Sequence, residues 1–257
     1  MTGEVTQGRG FPLLMHNFWA ARRETSQFRL FYGRRGFSVG LLNRYAERAV
    51  RTGVLLTEQL TTMLVSQPRA RGEVRAVFDC AHGTARLSEL RQSGSARALF
   101  PRTPSRALQM VLTNTSGGVT GGDRFRYDIS TTGGAAVSVT TQAAERAYRA
   151  QPNQTGRIET TLQVCAGSRL SWLPQETILF EGCRFARRLS LDVEEGGAAL
   201  LVEPLVFGRS AMGETIRAGA LDDRIEIRSS GRLMFLDRTC LTGDISAALD
   251  RPAVADG

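Results

Sequence analysis

Gly134-Ala-Ala-Val-Ser-Val139 returns as Gly167-Ser-Arg-Leu-Ser-Trp172 and again as Gly197-Ala-Ala-Leu-Leu-Val202. Each copy opens on glycine, passes two small or polar residues and enters a short strand. The glycines stand 33 and then 30 residues apart. An alternating segment precedes each copy: Phe125–Ser130, Arg157–Val164 and Phe185–Val193. Apolar–polar alternation marks a strand with one buried face. The repeated unit is therefore strand, glycine turn, strand and longer connector. Such a unit cannot bury its apolar face alone, and stacking the units builds a continuous core. The pattern predicts an all-β protein, a stacked or superhelical sheet of strand–turn–strand units with one or two short helices.

Upstream, Val74–Phe78 and Thr84–Leu90 flank Gly83 and read as a hairpin. Ala107–Thr113 is a mostly apolar strand that feeds Thr113-Asn-Thr-Ser-Gly-Gly-Val-Thr-Gly-Gly-Asp123. Two Gly-Gly pairs in so short a stretch indicate turns or close backbone approach. A phosphate-binding loop would need Gly-Lys-Ser/Thr opening a helix. This block ends in an acid that repels phosphate, and it opens a strand. Downstream, Asp222–Asp244 returns to strands with a turn at Ser229–Gly231.

The connectors hold the unusual residues. Thr141–Ala150 is rich in helix formers, pairs Glu145 with Arg149 at i,i+4 and offers Thr141 as an N-cap, so a helix is predicted there. Leu173–Phe180 and Glu203–Glu214 each set a glutamate beside a proline within an apolar run.

Composition narrows the function. All 33 basic residues are arginine, and the net charge is +8. Residues 1–68 carry +5 of that excess, which leaves little for a basic face on the β region. An Arg-rich nucleic-acid-binding β module is still the alternative reading, and it predicts steeply salt-dependent binding. No run of about 18 apolar residues indicates a membrane helix. Cys80, Cys165, Cys183 and Cys240 form no C-x-x-C pair, so structural zinc is not indicated. With no secretory leader pattern, a cytoplasmic protein with reduced thiols is expected. Residues 1–68 read as an extension outside the β domain of residues 69–257. A start assigned upstream, with Met63 the natural one, accounts for it more simply than an Arg-rich transit peptide.

Catalytic patterns do not assemble. Gly208–Gly213 is one residue too long for G-x-S-x-G, and His16 and His82 are the only histidines to serve Ser210 as base. Cys80 and His82 supply two metal ligands, too few for a tight site. Asp123, Glu145, Glu176, Glu203 and Glu214 are scattered carboxylates that suit weak, transient binding of a divalent ion better than capture.

Together Thr113–Asp123, Thr140–Arg149, Trp172–Phe180 and Glu203–Glu214, with Ala96–Arg102, resemble in order and spacing the signature blocks of the urease accessory protein family UreD, called UreH in some organisms. The resemblance runs from about Arg69 to the end. It implies an all-β, non-enzymatic maturation factor. Such a factor binds the urease apoprotein together with UreF and the GTPase UreG, and nickel passes through the assembly to the urease metallocentre. No tightly bound cofactor is implied; nickel is in transit. On this reading Glu176, Glu203 and Glu214 are the expected passage or interface carboxylates. Gln142, Glu145, Tyr148, Gln175, Arg209 and Met212 are expected to support the connectors or touch partners. Neither nucleic acid nor membrane is an expected partner. Family members usually continue beyond the point that corresponds to Gly257, so a shortened C-terminus with an exposed sheet edge is expected.

Overall fold

The computed structural model describes residues 14–15, 68–103, 107–209, 212–252 and 254. Met63 lies outside them. The strands in chain order are β1 (Leu14–Met15), β2 (Arg71–Ala81), β3 (Thr84–Gly94), β4 (Ala96–Leu99), β5 (Leu108–Asn114), β6 (Arg124–Thr131), β7 (Ala136–Thr141) and β8 (Glu145–Ala147). They continue as β9 (Gly156–Val164), β10 (Arg169–Trp172), β11 (Thr177–Leu179), β12 (Arg184–Val193), β13 (Ala198–Leu201), β14 (Leu205–Phe207), β15 (Gly219–Ser229) and β16 (Arg232–Gly243). A short helix, α1 (Ile245–Leu249), follows, and the Asp244 side chain caps it by accepting from the Ala247 N–H at 2.9 Å.

Three successive coils each give one strand to each of three sheets. The seven-stranded sheet runs β16-β15-β12-β9-β6-β2-β3, the six-stranded sheet β1-β13-β10-β7-β5-β4, and the three-stranded sheet β14-β11-β8. Contacts between coils are parallel, with Arg124 beside Arg157, Arg157 beside Ala186, and Ala186 beside Asp222. The described strands thus form a three-sided β-solenoid, the stacked all-β architecture expected from the repeats.

Alternation fixes the inward faces. Ala76, Ile129, Leu162, Leu191 and Ile227 occupy one register row, all buried. Met110, Val139, Trp172 and Leu201 form a second row on the six-stranded sheet. Fully burying one such side chain contributes about 1.5–3 kcal/mol, so these rows dominate the stability of the stack.

One register differs from the sequence reading. Arg169 pairs with Ala136 on one side and with Ala198 on the other, so the turn glycines in column are Gly134, Gly167 and Gly196, not Gly197. All three have φ between 74° and 85°, a backbone that disfavours any side chain. The conformational demand at the turn, more than the Gly-small-small motif, sets the repeat.

The two hairpins form where expected. Their two-residue turns are His82-Gly83 and Ser230-Gly231, and every one of these four residues has positive φ. That is the turn whose twist matches antiparallel strands. His82 therefore sits at a hairpin tip, past the end of the strand that holds Cys80.

The helix expected over Thr141–Ala150 is absent, and β8 stands there. The Glu145 N–H donates to the Glu176 carbonyl and the Tyr148 N–H to the Val119 carbonyl. Ten residues make a marginal helix, and propensity yields to a neighbouring coil that supplies a ladder partner for each backbone group. Thr141 is no N-cap: its hydroxyl accepts from the Gln175 N–H at 2.9 Å and donates to the Ala143 carbonyl, tying two connectors together.

Candidate partner-binding site

The connectors converge along the three-stranded sheet. Leu179 pairs with Ala147 and with Phe207, so Tyr148, Phe180 and Gly208 fall in line just beyond it. The Tyr148 and Phe180 rings lie 5.0 Å apart at 52°, and the Arg209 guanidinium sits 4.8 Å over the Phe180 ring. Such cation–π contact is worth about 0.5–1 kcal/mol at an exposed site. Arg209 is held from behind by Glu214, with Nε donating to Oε2 at 2.7 Å. This hydrogen bond sets the Glu214 carboxyl below its usual range. The Met212 and Glu214 N–H groups both donate to the Arg209 carbonyl, closing a tight turn that lifts Met212 to 74% exposure. Tyr148, at 38%, is also exposed. The result is a patch of aromatic, cationic and thioether groups, types that are enriched at interfaces.

Glu145 lies behind this patch. Its carboxylate accepts from Asn114 Nδ2 at 3.1 and 3.3 Å, and the same amide donates to the Gly118 carbonyl at 3.1 Å. Burial raises the Glu145 carboxyl above its usual range, against the lowering from Asn114. The glycine-rich block is thereby joined to the connector. Its Asp123, which is buried, accepts from the Thr120 and Ala70 N–H groups at 2.8 Å each. A carboxylate saturated by backbone donors serves as a turn lock. Gln142 and Gln175 are exposed, with backbone N–H groups bonded to the Leu112 carbonyl and the Thr141 hydroxyl.

A second cluster is interior. Arg187 projects into the core in the register row of Gly72, Phe125 and Ile158, with Asp223 beside it. Its Nε and Nη2 donate to Asp223 at 2.9 and 2.6 Å, and its Nη1 donates to Glu203. Trp172 Nε1 donates to the other Glu203 oxygen at 2.6 Å. Burial alone favours the neutral form of Arg187, but Glu203 and Asp223 overcome it and hold the guanidinium charged. At Glu203, burial outweighs the attraction of Arg187 and raises the carboxyl.

Of the three glutamates expected to handle metal, Glu203 is thus in the core, Glu214 pairs with Arg209, and Glu176 is half-buried beside Thr177. Among the described residues no group of three or more His, Cys, Asp and Glu side chains is placed to hold a metal ion. Of the residues expected to touch partners, Tyr148, Arg209 and Met212 come together with Glu214. Ser210 lies outside the described residues. Sequence reasoning missed Phe180, Asn114, Trp172, Arg187 and Asp223. For the last pair a signal existed: strict alternation from Phe185 puts Arg187 inward, and alternation from Leu221 puts Asp223 inward.

The class defined here is a stacked β-solenoid with a buried ion-pair cluster and an exposed mixed aromatic–cationic face. The family described as UreD urease accessory protein matches residues 70–257, and the chain belongs to it. It is 53% identical over 171 residues to the urease accessory protein UreD of Ruegeria pomeroyi, covering 66% of each chain. It is 49% identical to that of Roseobacter denitrificans over 77% of this chain and 72% of the relative. For Rhodopseudomonas palustris strain HaA2 the identity is 46%, over 74% and 67%. The match to the first of these relatives spans just under two thirds of that relative's own length. Among the described residues no helix is long and apolar enough to cross a membrane.

Proposed function

We propose that this chain is a non-catalytic maturation factor for urease. It binds the urease apoprotein together with UreF and the GTPase UreG, and supports GTP-dependent delivery of nickel to the urease metallocentre in the cytoplasm. The observation that carries this reading is membership of the urease accessory family over residues 70–257. The exposed Tyr148–Phe180–Arg209 face, with Met212 at its rim, supports it as a surface suited to a protein partner. The GTP chemistry would belong to the partner, since the glycine block here is built around Asp123 as a turn lock.

Nickel enters this proposal as cargo. Glu176 would offer a single oxygen donor for brief contact, and Glu214 and Glu203 would do so only after releasing Arg209 and Arg187. Single carboxylates exchange a divalent ion readily, which suits transfer more than storage. The test is co-expression with the urease subunits and the other accessory proteins, followed by affinity purification through this chain. Recovery of the apoprotein together with the accessory proteins is expected. Absence of any urease component from the purified material would refute the reading.

A further inference from the structure

The outer face of the seven-stranded sheet carries positive charge that the solenoid neutralises only in part. Arg71 on β2 pairs in register with Arg124 on β6, which pairs with Arg157 on β9. Three arginines thus stand side by side on neighbouring parallel strands, about 4.8 Å apart. All three are exposed. Among the described residues, none of their guanidinium groups makes a salt bridge or a side-chain hydrogen bond, although Arg157 lies near enough to Asp222, two strands along the same row, to help lower its carboxyl. Arg126, Arg224 and Arg238 on the same face are each paired with an acid. Like charges directly opposite one another in a sheet destabilise it, and a bound anion relieves that repulsion.

The surface is shaped to receive one. A concavity of about 630 Å³ opens over these residues, and Glu73, Ser93, Arg126 and Glu159 also line it. The next outward row, two residues along each strand, reads Glu73, Arg126, Glu159. Two acids therefore stand about 7 Å from the arginine row, on one side of it. A nucleic acid needs a continuous positive track for its phosphates. Here the flanking glutamates would repel such a backbone, while a short segment with two or three carboxylates can lie along the arginine row and clear them.

We infer that the Arg71–Arg124–Arg157 row docks an acidic segment of a partner protein. This rests on the reading that the chain works by binding protein partners, and it adds the chemistry of one contact: carboxylates spaced along an extended or helical stretch. The site lies on a different sheet from the Tyr148–Phe180–Arg209 face, so the solenoid presents two separate binding surfaces.

The test uses the full chain and a fluorescein-labelled peptide of alternating Asp and Ser, read by fluorescence anisotropy at low ionic strength. Arg71→Gln/Arg124→Gln/Arg157→Gln is expected to weaken binding about tenfold and to flatten its salt dependence. Glu73→Gln/Glu159→Gln is expected to tighten it, a gain that misfolding cannot mimic. Equal binding by the triple variant and the parent would overturn the inference. So would tighter binding of a single-stranded oligonucleotide of equal charge, which would mark a nucleic-acid surface, or full displacement of the peptide by equimolar inorganic phosphate, which would mark a small-anion site. In the co-purification assay, loss of the urease apoprotein from both parent and variant defeats the functional reading, and the peptide data still decide this one. Retention by both with the same salt dependence defeats this inference alone.

Discussion

Replacing Arg187 by methionine is the most demanding perturbation of this fold. The Arg187 side chain is 5% exposed, Glu203 is 5% exposed and Asp223 is 9% exposed. The substitution keeps the length of the side chain and removes the charge that holds two buried carboxylates. Breaking a buried pair by deleting one partner costs about 3–5 kcal/mol, because the remaining charge has neither water nor counter-ion. Here two carboxylates are left behind, so the upper part of that range is expected. For a chain of this size that lowers the melting temperature by roughly 6–20 °C.

The sign with pH follows from linkage. Glu203 already has a carboxyl raised by burial, and without Arg187 it rises further. A raised carboxyl contributes stability that is present below its unfolded value and lost as pH rises through the folded value. The deficit of Arg187→Met should therefore be largest at about pH 8 and shrink towards about pH 5. The assay is denaturant unfolding followed by far-UV circular dichroism across that range. Arg187→Met/Asp223→Leu/Glu203→Gln, which removes the charges together and leaves Trp172 an acceptor, should recover most of the loss. A single variant within about 1 kcal/mol of the parent, or a triple variant no better than the single one, would refute the account of this cluster.

Three further outcomes are expected. Glu145→Gln should leave the protein as stable or more stable at neutral pH and remove part of its pH dependence, since burial raises this carboxyl and a neutral amide oxygen can still accept from Asn114; a large loss in a thermal melt would contradict this. Gly118→Ala should cost at least about 2 kcal/mol more than Gly117→Ala in denaturant unfolding, because both have positive φ but only at Gly118 would the new Cβ lie 2.8 Å from the Arg146 carbonyl and 2.3 Å from the Tyr148 ring. Arg209→Ala should leave the melting temperature nearly unchanged while reducing recovery of partners in co-purification; equal recovery would remove the Tyr148–Phe180–Arg209 face from the proposal.

The solenoid was legible in the sequence because period-2 alternation and a recurring glycine are local signals. Phe125–Ser130, Arg157–Val164 and Phe185–Val193 each lie within a strand that pairs in parallel with its neighbours. The third glycine was misplaced by one residue because Gly196-Gly197 offers two candidates and only φ distinguishes them. The connector at Thr141–Ala150 read as helix because its composition favours helix in isolation, while its ladder partners, Glu176 and Val119, are distant in sequence. The binding face was half legible. Tyr148, Arg209 and Met212 were singled out as unusual connector residues, yet Phe180, which joins two of them, looked like ordinary apolar filling. Arg187 and Asp223 were hidden for the opposite reason. Charged residues in strands are read as solvent-facing by habit, and only strict parity along each strand turns them inward.

The two hairpins at the ends of the seven-stranded sheet bear on how the molecule behaves at high concentration. A stack of parallel coils is an open-ended design, since each coil is a template for the next, and a second molecule could in principle extend it without limit. Here β3 and β16 both reverse direction, so each terminal strand of that sheet runs against the strands behind it. A coil from another copy that kept the direction of the stack would have to pair antiparallel to the edge strand there. The positive φ values at His82-Gly83 and Ser230-Gly231 thus turn both described edges of this sheet against the direction of the coils, so the parallel template stops one strand short of each edge.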